Sequence, residues 1–422
     1  MATSADTTAT SLLSESFTRV RAQSDDLCHP LSPEDMMVQS CAEASPAKWH
    51  LAHTTWFFEN FVLREFLPEY RDFDPDYRWL FNSYYNAVSE QPEKKLRSVF
   101  SRPSAETIFA YRAHVDARVE ELIESHLTPE AARRITLGLN HEQQHQELLT
   151  TDIKHALWSN PLRPSYLKGK LPLSKAAPSK FWIGYEGGLR ETGFSGEGFA
   201  FDCEMPRHRE YLNPFQLASH PVSCAEYLEF IEDDGYRRPE HWLSAGWATV
   251  RQQEWQAPLY WNKSGDGWSV YTLWGQVPLH ELLQTPVCHV SYFEADAFAN
   301  WSGKRLPSES EWEAVAEPLP VTGNLLEQGT FHPQACSRPS IESPAQMYGD
   351  VWEWTASAFL GYPGFRPAEG ALGEYNGKFM SSQMVLRGGS VATPASHIRS
   401  SYRNFFSPET RWQFSGIRLA EL

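Results

Sequence analysis

The sequence has few cysteines, no long apolar run and no excess of positive charge. Its six cysteines are scattered singly without a C-x-x-C motif, which argues against a zinc knuckle and against a dense disulfide framework. No stretch approaches the roughly 18 apolar residues of a membrane span, and residues 1–10 do not resemble a signal peptide. The formal net charge of −16 argues against nucleic-acid and anionic-membrane partners. We expect an unexported cytoplasmic protein with small-molecule substrates.

Acidic residues are also absent from residues 159–180, a segment rich in proline and lysine that we interpret as a linker. A chain of 422 residues should form two or three domains. Residues 1–158 carry helical apolar spacing and predict a four-helix bundle, whose core is a usual place for a metal. The first two helical patterns are carried by Leu12, Leu13, Phe17 and Val20, and by Trp49, His53, Trp56 and Phe57. The other two are residues 104–126, with Ser104 as N-cap, and residues 129–157, with Thr128 as N-cap.

Residues 141–147, His-Glu-Gln-Gln-His-Gln-Glu, lie inside the fourth helical pattern. His141 and His145 are four positions apart, so they share one helix face and can bind one metal ion. Glu142, Gln144 and Glu147 lie beside them and can orient a ligand or contact a substrate. A surface pair of histidines is the plain structural alternative.

The same residues match the zinc-peptidase pattern H-E-x-x-H, in which Glu142 would be the general base. The longer form of that pattern requires Gly and His where this chain has Leu148 and Thr151. A downstream Glu ligand is also missing from residues 159–180. The match to the zinc-peptidase pattern therefore covers only five residues.

Residues 181–422 are rich in glycine, tryptophan and tyrosine and show short β-like runs, with helical patterns at 292–302 and 308–317. Five blocks in this half resemble the formylglycine-generating-enzyme-like domain, which has a C-type-lectin-like fold. The resemblance predicts an α+β chain in which the bundle precedes this domain, and it implies that the blocks hold the scaffold together through tryptophan packing and Arg–Glu pairs. The blocks are residues 286–292, 301–313, 349–355, 386–390 and 414–419.

The resemblance does not extend to the activity of true formylglycine-generating enzymes. Those enzymes carry a copper-binding cysteine pair shortly after the Arg-Gly-Gly-Ser block. Residues 391–396 of this chain read Val-Ala-Thr-Pro-Ala-Ser and contain no cysteine. We do not expect that function.

Residues 45–59 and 141–147 together resemble the DinB-type bundle of the ergothioneine-biosynthesis sulfoxide synthases. That family fuses the bundle to a formylglycine-generating-enzyme-like domain in the order seen here. The resemblance implies that His53, His141 and His145 bind Fe(II). His50, one turn before His53, is the competing third ligand.

The implied reaction is oxidative carbon–sulfur bond formation between hercynine and cysteine with O2, which yields a sulfoxide. Three neutral imidazoles leave positions open for substrates, as in other non-haem oxygenases. The alternatives are an ovothiol-type enzyme that uses histidine, a DinB-type metal-dependent thiol transferase or hydrolase, and a non-catalytic lectin-like protein. The last leaves the histidine cluster unexplained. The sequence does not determine the oligomeric state.

The family resemblance also implies substrate-binding residues. Gln144 matches a family position that contacts the betaine, and Asn404 matches the Asn of a family Arg-Asn-Trp-Asp segment. Phe405 and Phe406 replace the Trp and Asp of that segment. A quaternary ammonium is recognised by aromatic faces and amide oxygens, which these residues offer. Core packing of both phenylalanines is the alternative.

Residues 80–86, Leu-Phe-Asn-Ser-Tyr-Tyr-Asn, resemble the branch of the family that accepts free cysteine. The acidic residue replaced by Phe406 helps other members to hold γ-glutamylcysteine, so its loss points to the same branch. Tyr84 or Tyr85 is the candidate catalytic acid, because a phenol can protonate partly reduced oxygen and favour C–S coupling over thiol dioxygenation. A tyrosine pair that only packs at a helix–loop junction is the alternative.

Overall fold

The computed structural model describes residues 4–83, 85–174, 178–265, 267–337, 340–367, 369, 373 and 376–422. The chain forms two compact units, one built from Met1–Leu162 and the other from Arg163–Ala368 with Asn376–Leu422. The boundary lies within the segment 159–180. All six cysteines are free thiols. Within the described ranges, no helix has the length and apolar character that a membrane span requires.

The first unit is helical, as its apolar spacing predicts. The helices are α1 Ser4–Cys28, α2 Ala47–Phe58, α3 Arg64–Phe66, α4 Tyr77–Leu80, α5 Ala105–Ser125 and α6 Pro129–Ser159. The two long helices α1 and α6 pack side by side, and α2 packs against α5 and α6. A π-helical turn at Glu59–Leu63 continues α2.

The predicted N-caps of α5 and α6 are confirmed. The Ser104 side chain accepts a hydrogen bond from the backbone N–H of Thr107, and Thr128 accepts one from Ala131. Phe17 is buried in the bundle as its spacing predicts, whereas Leu12 is 59% exposed. Every residue of α2 is buried. Since α2 is enclosed on all sides, polar groups on it need partners inside the protein.

The second unit combines short strands with short helices, as the predicted α+β class requires. The helices are α7 Cys224–Glu232, α8 Ser244–Gln252, α9 Leu279–Leu282, α10 Tyr292–Trp301 and α11 Glu309–Ala316. The strands are β1 Trp182–Tyr185, β2 Gly188–Thr192, β3 His208–Leu212, β4 Phe215–Ala218, β5 Trp261–Ser264, β6 Gly267–Thr272, β7 Gly275–Pro278, β8 Trp352–Ala358, β9 Met384–Arg387, β10 Asn404–Phe406, β11 Ser415–Gly416 and β12 Ala420–Glu421. The strands form sheets with the orders β1-β4-β12, β10-β9-β8-β11, β2-β3 and β5-β6-β7.

Buried Arg–Glu pairs join the sequence blocks of this unit, as predicted. Arg418 donates to Glu353 at 2.7 Å, and Arg387 donates to Glu313 at 2.6 Å. Glycine permits the Arg-Gly-Gly-Ser turn, because Gly388 has φ +98° and an added Cβ would lie 2.6 Å from a backbone oxygen of Met347. These residues therefore maintain the scaffold.

Candidate metal centre

Three histidines of the bundle converge. His53 lies on α2, and His141 and His145 lie one turn apart on α6. One ring nitrogen from each comes within 4.8 Å of the other two. The ring centroid of His53 is 5.1 Å from that of His141 and 4.8 Å from that of His145. This spacing suits three imidazole ligands to one metal ion.

All three imidazoles are uncharged at neutral pH. Burial lowers the pKa of His53 and of His145 well below the ordinary value, and it lowers that of His141 to about 3. The neutral ring is the form that binds a metal. His53 and His141 are buried, and His145 retains only a small exposed fraction. The three rings are therefore available as neutral ligands.

A backbone carbonyl determines which nitrogen of His53 carries the proton. Nδ1 lies 2.7 Å from the carbonyl oxygen of Phe81, which can only accept a hydrogen bond, so Nδ1 is the protonated nitrogen. Nε2 then holds a lone pair, is buried, and has no hydrogen-bond partner among the described residues. A buried polar atom without a partner is costly, and a bound metal ion would satisfy it. The histidines thus fit a metal.

Aromatic rings hold His53 in place. Trp49, one turn before it, stacks on the imidazole with 4.6 Å between centroids and 10° between planes. Trp56 stacks on it at 5.6 Å and 13°. The guanidinium of Arg97 in turn lies 3.3 Å from the ring centroid of Trp49. The apolar spacing of α2 therefore orients a ligand as well as filling the core.

His50, the competing candidate for the third ligand, contacts His145 and Asp152. Its Nδ1 lies 2.9 Å from Nδ1 of His145, and its Nε2 lies 3.0 Å from Oδ2 of Asp152. Asp152 also accepts a hydrogen bond from the backbone N–H of Ser45 at 2.8 Å. Because one ring nitrogen of His50 contacts His145 and the other contacts a carboxylate, both nitrogens already have partners.

Glu142 faces away from the histidine cluster into a buried ionic network. Its carboxylate accepts hydrogen bonds from Arg21 at 2.7 Å, Ser24 at 2.7 Å and Arg112 at 3.0 Å. Burial alone would raise the pKa of Glu142, but Arg21 and Arg112 outweigh it and the pKa is lowered. Because Glu142 is ionised and occupied by these donors, it is not placed as the general base of a zinc peptidase.

The other candidate residues of the bundle are Gln144, Tyr84 and Tyr85. Gln144, directly before His145, is partly exposed. Tyr85 is fully buried, and its ring contacts Trp56 at 5.6 Å and Phe61 at 5.0 Å. Tyr84 lies outside the described residues. Tyr85 thus packs on a tryptophan that itself stacks on His53.

The remaining candidates, Asn404, Phe405 and Phe406, form β10 in the second unit and are all partly exposed. Phe405 stacks on Phe359, with 3.9 Å between centroids and 10° between planes. Oδ1 of Asn404 accepts a hydrogen bond from the backbone N–H of Phe405 at 2.9 Å. Phe405 therefore takes part in packing and also retains exposed surface.

The sequence analysis did not identify Asp152 and Arg97, which contact His50 and Trp49 beside the histidine cluster. Asp152 lies seven positions after His145, two turns along the same face of α6, so helical spacing could have identified it. Arg97 belongs to a short 3-10 helix far from α2 in sequence. No sequence signal connected it with Trp49.

The chain joins two known domain types. Residues 16–155 match the DinB superfamily, and residues 173–329 and 326–421 match the sulfatase-modifying factor enzyme 1-like domain. A buried three-histidine cluster in a DinB-type bundle, followed by such a domain, defines a class of proteins suited to bind a metal between α2 and α6.

Relatives that match most of the chain show which family it belongs to. Hercynine oxygenase of Mycolicibacterium smegmatis is 31% identical, and the match covers 89% of this chain and 91% of that protein. Hercynine oxygenase of Mycolicibacterium thermoresistibile is 32% identical over 89% of this chain and 87% of that protein. The formylglycine-generating enzyme of Streptomyces coelicolor is 28% identical over 53% of this chain and 83% of its own length. The chain belongs to the hercynine oxygenase family.

We predict that replacing His53, His141 or His145 with Ala abolishes stoichiometric Fe(II) binding, because each change would remove one nitrogen of a three-histidine cluster that could hold a metal ion. Iron content after anaerobic loading measures the loss, and far-UV circular dichroism checks that the helices remain. His155→Ala on the same helix α6 is the matched control and should retain iron. Full iron in His53→Ala together with none in His50→Ala would show that His50 is the third ligand.

Glu142→Gln should lower the free energy of unfolding by about 3 kcal/mol, because Arg21 and Arg112 lose a buried counter-charge. Urea unfolding followed by circular dichroism measures the change. The control is Glu121→Gln, which breaks an exposed pair with Arg118 and should cost less than about 1 kcal/mol. Unchanged stability with lost catalysis in Glu142→Gln would instead favour a general-base role.

Proposed function

We propose that this protein is a sulfoxide synthase of ergothioneine biosynthesis that joins the sulfur of cysteine to the imidazole of hercynine. The observation that carries the proposal is the buried cluster of His53, His141 and His145 in a chain that matches hercynine oxygenases over 89% of its length. A peptidase or hydrolase reaction is disfavoured because Glu142 is bound by two arginines.

The proposed reaction balances without a further reductant. A C–S bond forms while the S–H bond of cysteine and one C–H bond of the imidazole break. One oxygen atom of O2 becomes the sulfoxide oxygen, and the other leaves as water with the two hydrogens. The two substrates together supply the four electrons that O2 accepts.

We assign His53, His141 and His145 as the ligands of Fe(II), which when bound supplies the redox chemistry that O2 activation requires. The protein holds each imidazole neutral by burial and fixes the ring of His53 through Phe81, Trp49 and Trp56. Fixed ligands lower the cost of bringing the sulfur and the imidazole carbon together.

We propose Gln144 of the first unit as a contact of the betaine group of hercynine, and we propose Asn404 and Phe405 of the second unit as substrate-binding candidates on the chemistry of their side chains. A trimethylammonium group has no N–H to donate, so amide oxygens and aromatic faces are its suitable partners. Gln144 supports this assignment by its partial exposure next to His145, and Phe405 by its partly exposed ring. Phe406, an uncharged residue, offers no carboxylate for the larger thiol γ-glutamylcysteine, and we therefore propose free cysteine as the sulfur donor.

We assign the proton donor to Tyr84 or Tyr85. The hydroxyl would hold a proton at Oη for transfer to reduced oxygen, which favours the C–S bond over oxidation of the thiol alone. The contact of Tyr85 with Trp56, and of Trp56 with His53, supports a position near the histidine cluster.

The substrate panel tests the function directly. With Fe(II) and O2, we expect rapid oxygen uptake with hercynine and cysteine, and slower uptake when histidine replaces hercynine or γ-glutamylcysteine replaces cysteine. Mass spectrometry should identify the sulfoxide. Gln144→Ala should raise the KM for hercynine several-fold to thirty-fold, since one contact of roughly 1 to 2 kcal/mol is lost.

Two outcomes of the panel would contradict parts of the proposal. Equal kcat/KM values for histidine and hercynine would favour an ovothiol-type enzyme. A preference for γ-glutamylcysteine would overturn the assignment of the sulfur donor while leaving the reaction class intact.

The Tyr84→Phe, Tyr85→Phe double variant should retain iron and both KM values but form sulfoxide about a hundred-fold more slowly, the usual effect of a lost general acid. Product analysis should then reveal cysteine sulfinate as a by-product. Tyr77→Phe in the same bundle is the control and should leave the rate unchanged. An unchanged sulfoxide yield in the double variant would remove the tyrosines from the mechanism.

A further inference from the structure

An uncharged histidine can bind a metal through one ring nitrogen only when the other ring nitrogen carries the proton. A neutral imidazole carries one proton, so His145 can bind a metal through Nε2 only when its proton lies on Nδ1. Nδ1 of His145 faces Nδ1 of His50 at 2.9 Å. The position of the proton in this nitrogen–nitrogen hydrogen bond therefore matters for the metal.

Asp152 resolves which ring donates. Its carboxylate can only accept hydrogen bonds, and Oδ2 lies 3.0 Å from Nε2 of His50, so the single proton of an uncharged His50 lies on Nε2. Nδ1 of His50 then carries a lone pair and accepts from Nδ1–H of His145. The lone pair of His145 is left on Nε2, on the far side of its ring from His50.

We propose that His50 and Asp152 are positioning residues that hold His145 in its metal-binding tautomer. Neither residue is a ligand in this proposal, which rests on the proposed ligand set His53, His141 and His145. Both are buried, with 3% of His50 and 6% of Asp152 exposed, so bulk water does not compete for these hydrogen bonds. The backbone N–H of Ser45 also donates to Asp152 and holds the carboxylate in place at 2.8 Å.

The arrangement parallels that of His53, whose Nδ1–H donates to the carbonyl of Phe81. In His53 the acceptor is a backbone oxygen, whereas in His145 it is a side chain backed by a carboxylate. The acceptor of His145 can therefore be changed by substitution. Outer hydrogen-bond partners of this kind typically contribute about 10- to 100-fold to metal affinity.

The test compares His50→Phe, which keeps an aromatic ring but has no acceptor, with His50→Gln, whose amide oxygen can accept from His145. Competition with a chromophoric chelator measures Fe(II) affinity in the full chain without any turnover. We expect roughly 10- to 100-fold weaker binding in His50→Phe and a smaller loss in His50→Gln. His155→Phe, on α6 but outside the cluster, should bind like the parent.

Thermal unfolding of the metal-free variants measures whether each substitution also disturbs the packing of the protein. Equal losses of affinity in His50→Phe and His50→Gln would overturn the proposal, because packing alone would then explain them. Parent-like affinity in His50→Phe would overturn it as well. Asp152→Ala provides a second test if His50→Phe does not fold, and it should also weaken Fe(II) binding; unchanged affinity in that variant contradicts the proposal.

Failure of the proposed reaction would be distinguishable from failure of this inference. A protein that binds Fe(II) tightly but does not form sulfoxide would contradict the reaction and leave the role of His50 intact. A parent protein with no affinity for Fe(II) would overturn the ligand set and this inference with it.

Discussion

The ionised carboxylate of Glu142 needs counter-charges inside the bundle, and the geometry of the histidine cluster depends on the contacts that supply them. An ionised carboxylate in a dry interior is tolerated only when it is paired and hydrogen-bonded. Arg21 from α1 and Arg112 from α5 supply the charge. Contacts with both arginines restrict the rotation of α6 about its own axis. In the structure His141 and His145 face His53 of α2.

The position of α2 completes the cluster. Its residues are buried on every side, so its polar groups need partners inside the protein. His53 uses the carbonyl of Phe81, and His50 uses Asp152. The two tryptophans that flank His53 on the same helix restrict its ring. Packing and hydrogen bonding therefore act on the same imidazole.

The second unit also contains buried ion pairs. Its buried Arg–Glu pairs join segments far apart in sequence. Glu353 receives hydrogen bonds from both Arg418 and Trp312. Removing one partner of such a pair leaves a buried charge, which makes these positions structural rather than catalytic.

Elements with local signals could be predicted from the amino-acid sequence. The N-caps Ser104 and Thr128 and the i, i+4 spacing of His141 and His145 depend only on nearby residues, and the helices formed where these signals indicated. The succession of motifs along the chain was sufficient to recognise the family. The pairing of Glu142 with Arg21 and Arg112, and the contacts of His50 with His145 and Asp152, could not be predicted in this way and depend on the packing of the bundle. These contacts join residues 30 to 121 positions apart, and which of many polar side chains meet at such separations depends on how the helices pack, a property that local spacing does not encode.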